Sequence, residues 1–281
     1  MNEQQISEAI EALLVARNPR NMQLARAALR PGYYLRAARQ LRDLRGTVLI
    51  ATGFPVTGTV ETEGPVGAII LYDALAQLGA RPLLTCGPPL STTLAGDYRV
   101  LELQSTDLDA ARREAGERLA ELQPQAIVSI ERPGLAADGR YYNMRGDDIM
   151  PRCYIFDTFM AQATCPTIAI GDGGNEIGMG NIARELGELG VPVSTTGCGE
   201  LLVADVSNWG AYGLVALLGL WAGRDLLADV SPVTIINYLS SRGSVDGVTG
   251  ENTLTEDGMA ARVGLDVIRE LRAMVEAHAD R

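Results

Sequence analysis

The sequence contains no lysine; all 24 of its basic residues are arginine. A Walker P-loop needs a Lys to reach the nucleotide phosphates, so P-loop nucleotide binding is excluded. A Schiff base to pyridoxal phosphate (PLP) or to a carbonyl substrate is excluded for the same reason. Histidine is almost as scarce. The single His278 lies in the terminal EAHADR, and a chain end is a poor scaffold for a catalytic base. No Ser–His–Asp triad, Cys–His pair or His-rich zinc site can be built from this composition. Acid–base chemistry is left to carboxylates, Cys and Tyr. Any metal must be a hard divalent cation held by oxygen, Mg²⁺ or Mn²⁺. The four cysteines, Cys86, Cys153, Cys165 and Cys198, form no CxxC pair, and a disulfide framework is not expected in a large cytoplasmic domain.

Long apolar runs are also missing. The stretch near Leu214–Trp221 is too short to span a bilayer and carries glycine. The N-terminus, MNEQQISEAIEALL, is polar and acidic and does not read as a signal peptide. The formal charge of −11 repels nucleic acid and anionic lipid, so neither is an expected partner. The expectation is a cytoplasmic protein acting on a small molecule. A homo-oligomer is the default for such proteins rather than an inference from these residues.

What is present is an alternation. The chain has 281 residues, 47% of them hydrophobic, enough for one domain over 1–281 with a helical extension over 1–45. TVLIAT (47–52), RPLLTC (81–86), RVLELQ (99–104), AIVSIE (126–131), TIAI (167–170) and VPVST (191–195) read as strands. Helical periodicity separates them, over 66–79, 108–122, 180–189 and 210–222, and a last helix is expected over 255–277 with Glu256 and Asp257 in its first turn. The pattern implies a three-layer α/β/α fold with a mainly parallel, Rossmann-like sheet.

In such sheets ligands bind beyond the carboxyl ends of the strands. Four long polar loops fall there: GFPVTGTVETEGP, RPGLAADGRYYNMRGDDI, GDGGNEIGMGN and GCGELLVADVSNWG. The third packs acids and amides among glycines. If the chain enters a helix there, Asp172 and Glu176, four apart, face one way. With the Asn175 carbonyl they can hold a divalent cation, or the turn can be purely structural, with Asp172 as a cap. GDGGNE also resembles the GDGxND loop of haloacid-dehalogenase-type phosphatases. The upstream nucleophile motif of that family is missing, since FDTF (156–159) has one Asp and lies too close. Elsewhere, Glu61 and Glu63 flank the first loop's end, Arg132 and Arg145 suit a substrate carboxylate, and Cys198 can act as a thiolate.

Together and in this order, GFPVTGTVETEGPVGA, ERPGLAADGRYYNMRGDDI, AIGDGGNEIGMGN and TTGCGELLVADVSNWGAYGL resemble the C-terminal domain of D-glutamate cyclase, over nearly the whole chain. In the larger mitochondrial relatives of that family this domain follows a hydro-lyase-like one. The resemblance implies a lyase that closes D-glutamate to 5-oxo-D-proline with loss of water. Glu63 or Asp147 would take a proton from the amine, and Glu176 or Glu200 would protonate the departing oxygen. Arg132 or Arg145 would hold the α-carboxylate, and Asp172 with Glu176 a metal. Gly53, Thr57, Asn143, Gly173, Gly174, Asn175, Glu200 and Asn208 complete the expected substrate contacts, with Cys198 as a further catalytic candidate. A metal-dependent phosphatase and a non-catalytic small-molecule-binding module are the alternatives.

Overall fold

In the computed structural model, which describes residues 2–56, 58–187, 190 and 192–279, the run TVLIAT is buried at every position. A segment rich in β-branched residues and apolar on both faces is stable only inside a parallel sheet covered on both sides. It forms β1 (Thr47–Thr52) at the centre of a six-stranded sheet. The others are β2 (Arg81–Cys86), β3 (Val100–Glu102), β4 (Ala126–Ile130), β5 (Thr167–Gly171) and β6 (Glu200–Val203). All adjacent pairs are parallel, and the spatial order is β3-β2-β1-β4-β5-β6. Ile50 sits between Leu84 and Val128 in register. The chain winds outward from β1 in one direction, then restarts at β4 in the other. That reversal opens a crevice between the carboxyl ends of β1 and β4.

Helices cover both faces, giving the three-layer α/β/α architecture expected. The helices Pro65–Gln77 and Ser207–Ala222 pack against each other. The N-terminal helices Glu3–Leu14 and Tyr33–Leu41 and the C-terminal helix Arg262–Ala279 pack on Ser207–Ala222 as well. The first 45 residues thus share the main core, with Ile6, Ile10, Leu14, Tyr34 and Leu41 buried in it. Leu108–Leu122 starts at Asp107, whose side chain accepts from the N–H groups of Asp109 and Ala110, and packs on Asp157–Gln162. No helix among the described residues is long and apolar enough to cross a membrane.

Three expectations are corrected. VPVST is not a strand: its described part, 192–195, bonds to loops, with Ser194 N–H donating to Gly174 O and Thr195 N–H to Leu135 O. The sixth strand is instead ELLV, just downstream. The helix expected over 180–189 is a 3₁₀ turn, Met179–Ile182, followed by a short α-helix, Ala183–Leu186; residues 188 and 189 lie outside the described residues. The last helix begins at Arg262, not Thr255. Thr255–Glu256 and Met259–Ala260 pair as a small hairpin, with Asp257 (φ 54°) and Gly258 (φ 75°) as its two-residue turn. Two successive positive φ values make a type I′ turn, for which Asp-Gly is a favoured pair.

The glycines of Ser207–Ala222 set how closely that helix approaches the sheet. A Cβ on Gly210 would lie 2.4 Å from Ile170 Cγ2, and Ile170 is fully buried. Alanine would gain about 1 kcal/mol of helix propensity, whereas overpacking a rigid core costs about 1–3 kcal/mol. The clash distance puts the cost at the upper end. Gly210→Ala is therefore expected to lower unfolding free energy by roughly 1–2 kcal/mol in a urea titration, and unchanged or raised stability would contradict this packing.

Candidate active site

The carboxyl end of β1 leads through a tight hairpin, Pro55–Val56 with Thr59–Val60, to Glu61 and Glu63. Gly64 then turns the chain into the helix Pro65–Gln77. Its φ is +83°, and a Cβ there would lie 2.7 Å from both Glu131 Cβ and Thr52 Oγ1. Only glycine combines that conformation with that closeness. Glu131 follows β4 directly and itself holds φ 46°, an unfavourable backbone region for a Glu, of the kind that clusters at functional sites. Asp172 follows β5 in the same way. One oxygen each from Glu63, Glu131 and Asp172 lie within 4.8 Å of one another, and all three residues are buried. The crevice of the strand order is therefore an acidic one.

Neighbouring elements hold these acids. Ser207 opens the helix Ser207–Ala222; its N–H donates to Glu63 Oε1 at 2.6 Å and its hydroxyl to Glu131 Oε2 at 2.5 Å. The positive end of a helix dipole thus faces two carboxylates. Arg20 approaches from the NPRN turn and donates to Asp172 Oδ2 at 2.6 Å and to Asp257. That turn is clamped by Asp205, which accepts from Arg17 N–H at 2.7 Å and Asn18 N–H at 3.0 Å. Above the acids lies a cleft of about 340 Å³, walled by Glu61, Glu176, Asp257 and Asn175, with Asn143, Arg145, Asp147 and Arg152 along its lining.

Burial, then mutual repulsion, dominates the electrostatics. Glu61, Glu63 and Glu131 are pushed well above the usual carboxyl range, first by burial and then by neighbouring acids. Burial pushes Asp172 up to about 6 even though Arg20 opposes the shift. Asp257 rises to about 7 through burial and the charge of Asp172. Glu256, behind the site, rises to about 7 through burial. Glu176 is raised by burial. The donor set suits a hard divalent cation: three buried carboxylate oxygens converge.

The expected site residues divide into three groups. Glu63, Asp172, Glu176 and Asn175 meet at the cleft, with Asn143, Arg145 and Asp147 on its lining; Gly173 and Gly174 form the adjoining loop. Within it the expected pairing is corrected. GDGGNE does not enter a helix, and Glu176 stands outside the three-oxygen group, its Oε2 accepting from Gly174 N–H at 2.7 Å. Glu131 takes its place. Asn143 braces its own loop, with Oδ1 accepting from Arg145 and Asp147 N–H at 2.9 Å each.

A second group turns away from the cleft. Arg132 is buried and donates to Thr52 O at 2.8 Å and Tyr154 O at 2.5 Å, so its guanidinium ties β1 to the following loops instead of awaiting a carboxylate. Gly53 borders a narrow hollow beside Arg132. Asn208 is fully buried; its carbonyl accepts from Gly64 and Gly67 N–H, and its amide donates to Glu256. It caps the helix Pro65–Gln77 and has nothing left for a substrate. Asp157 of FDTF is likewise spent on Tyr141, Thr196 and Leu135 N–H, which removes it as a phosphatase nucleophile.

The third group lies at the wrong edge. With ELLV as the strand, Cys198 and Glu200 fall at the amino end of β6, opposite the cleft. Burial pushes the Cys198 thiol up to about 12, and Glu200 pairs with Arg36 at 2.8 Å. Thr57 lies outside the described residues. Arg20, Ser207 and Asp257 escaped the sequence reading. Of these only Asp257 carried a local signal, the turn-forming Asp-Gly pair.

The family model described as D-glutamate cyclase-like, C-terminal, matches residues 10–272. The chain belongs to that family. It is similar to the human protein named D-glutamate cyclase, mitochondrial, with 31% identity over 211 residues, 66% of this chain and 34% of the human one. The matched part thus spans about a third of that relative's length.

The acidic cleft leaves a mark on stability. Asp172, Asp257 and Glu256 bind protons more tightly folded than unfolded. Between the ordinary carboxyl range and about pH 7 the folded chain therefore carries more protons than the unfolded one, and these groups make stability fall as pH rises. Without divalent cation, the denaturant midpoint should be lower at about pH 8 than at about pH 5, and a saturating cation should flatten the profile. A midpoint that rises with pH in the cation-free protein would contradict this electrostatic description.

Proposed function

We propose that this chain is an enzyme that closes D-glutamate, or a closely related amino acid, to its five-membered lactam with loss of water, assisted by a divalent cation. The observation that carries the reading is the convergence of Glu63, Glu131 and Asp172 beneath a cleft large enough for an amino acid. Family membership supports the same reaction class.

The reaction is proton-neutral. An ammonium group loses two protons, and the departing oxygen of the side-chain carboxylate gains two and leaves as water. What the site must supply is a relay between two atoms of one substrate, with no net acid or base. Glu176 suits that role. It lines the cleft, its Oε2 is anchored by Gly174 N–H, and burial raises its proton affinity. It accepts a proton from the amine and returns it to the leaving oxygen. Glu63, Glu131 and Asp172 would hold the cation. Bound there, the cation supplies Lewis acidity to an otherwise unreactive carboxylate. Arg145, exposed on the cleft lining, can take the spectator α-carboxylate through a bidentate contact.

Purified protein incubated with D- and L-glutamate, with and without Mn²⁺, should yield lactam from the D isomer when metal is present. No lactam from either isomer under any metal condition would overturn the proposal. Separately, Mn²⁺ should raise the thermal midpoint of the parent protein, and Asp172→Asn should abolish that rise. An unchanged rise in the variant would remove Asp172 from the cation site.

A further inference from the structure

Asn175 is 3% exposed, and its amide orientation is fixed. The Nδ2 group donates to Tyr142 O at 2.8 Å, and the backbone carbonyl accepts from Gly134 N–H at 2.8 Å. Turning the amide over would set two acceptors against each other at Tyr142. Yet Oδ1, buried beside the cleft, has no hydrogen-bond partner among the described residues. A buried acceptor left without a donor is costly, so one in a native fold calls for an explanation.

The space beside it has a definite lining. A Cβ on Gly173 would lie 2.8 Å from Glu176 Oε1, 3.2 Å from Asn175 Oδ1 and 2.8 Å from Met144 Sδ. The missing side chain lets a carboxylate oxygen, an amide oxygen and a thioether close over the Gly173 backbone, so that the two oxygens lie side by side on the cleft wall. All three accept or are neutral, and none donates. The other oxygen of Glu176 is held by Gly174 N–H, so the carboxylate cannot easily swing away. Glu63, Glu131 and Asp172 form their group in the same cleft without these two oxygens.

We propose that the hollow of the cleft between Asn175 Oδ1 and Glu176 Oε1 seats the primary ammonium group of the substrate and selects for it. The assignment rests on the amino-acid substrate proposed above. A group with several N–H donors and a positive charge satisfies both oxygens at once, which a hydroxyl with its single donor does not. It also sets the nitrogen against Glu176, the relay for its protons. Asn175 is then a specificity residue that touches the substrate, and Gly173 lets the two oxygens come together.

The test compares D-glutamate with glutarate, the same skeleton without the amine, by calorimetric titration in the presence of Mn²⁺. The parent protein should bind D-glutamate at least about tenfold more tightly, the scale of one hydrogen bond to a charged group. Asn175→Leu and Gly173→Ala should each bring that ratio close to one while leaving the affinities for glutarate and for Mn²⁺ nearly unchanged. A parent protein that does not discriminate, variants that keep the ratio, or an equal loss of both ligands would overturn the assignment. If the parent binds neither ligand, the proposed reaction fails on its own, and methylammonium then decides the hollow. A thermal upshift with methylammonium beyond that with tetramethylammonium, which has no N–H, and its loss in Asn175→Leu, support it. Equal shifts with the two cations overturn it.

Discussion

The constraint on which this fold turns is the repulsion among carboxylates gathered in one buried crevice. Two unit charges about 5 Å apart repel by roughly 3 kcal/mol at an effective dielectric near 20. Three such pairs, Glu63, Glu131 and Asp172 within 4.8 Å, together rival the whole stability of an ordinary domain, about 5–15 kcal/mol. A chain that assembles this group must neutralise it with protons, with Arg20, or with a bound cation. The upward shifts of these acids express the first route. The 2.6 Å contact from Arg20 to Asp172 expresses the second.

Much of the remaining structure serves to hold that arrangement against its own repulsion. The helix Ser207–Ala222 is anchored in the main core and presents Ser207 to two of the acids. The next residue, Asn208, reaches back to cap the helix that follows Glu63 and forward to Glu256 in the Asp257 hairpin. One short sequence, Ser207–Asn208, thereby links loops from β1 and β4 with the C-terminal region. The N-terminal segment contributes the counter-charge and is no mere extension: Asp205 clamps the Arg17–Asn18 backbone, and Arg20 extends from that turn into the crevice. Rigid hydrogen-bonded supports of this kind are what keep a cation-binding geometry from relaxing when the cation is absent.

The layered fold and the sheet edge that carries the acidic cleft were legible because they rest on local pattern. Five of the six strands followed from apolar β-branched runs, and polar loops at their carboxyl ends marked the crevice. The failures have a common cause. VPVST has strand composition, but its backbone is claimed by Gly174 and Leu135, a tertiary preference invisible in the segment itself. Moving the last strand to ELLV carried Cys198 and Glu200 to the opposite edge of the sheet. Arg132 looked like an anion ligand because its residue type is right, but its partners, Thr52 O and Tyr154 O, are set by chain crossings. Arg20 lies 152 positions from Asp172, and no spacing rule reaches that far. TEDGMA was misread for a different reason: acids before a helical pattern resemble a first turn, and the Asp-Gly turn preference should have outweighed them.

The same logic explains why GDGGNE divides its labour. Adjacent acids on one helix face would have served one ion together. Because the loop is irregular, Asp172 stays with β5 and joins Glu63 and Glu131, whereas Glu176 bridges to Pro133 and is pinned by Gly174 N–H. The glycines make that separation possible by letting the backbone fold back within four residues. One acid belongs to the charge-dense floor, the other to a wall with a single anchored oxygen. A cation-binding carboxylate should be held by its neighbours and depleted of protons by the cation, while a proton relay must keep an accessible oxygen and a raised affinity for protons. Burial raises the proton affinity of both acids, so what separates them is their partners: Arg20 and the other two acids for Asp172, Gly174 N–H for Glu176.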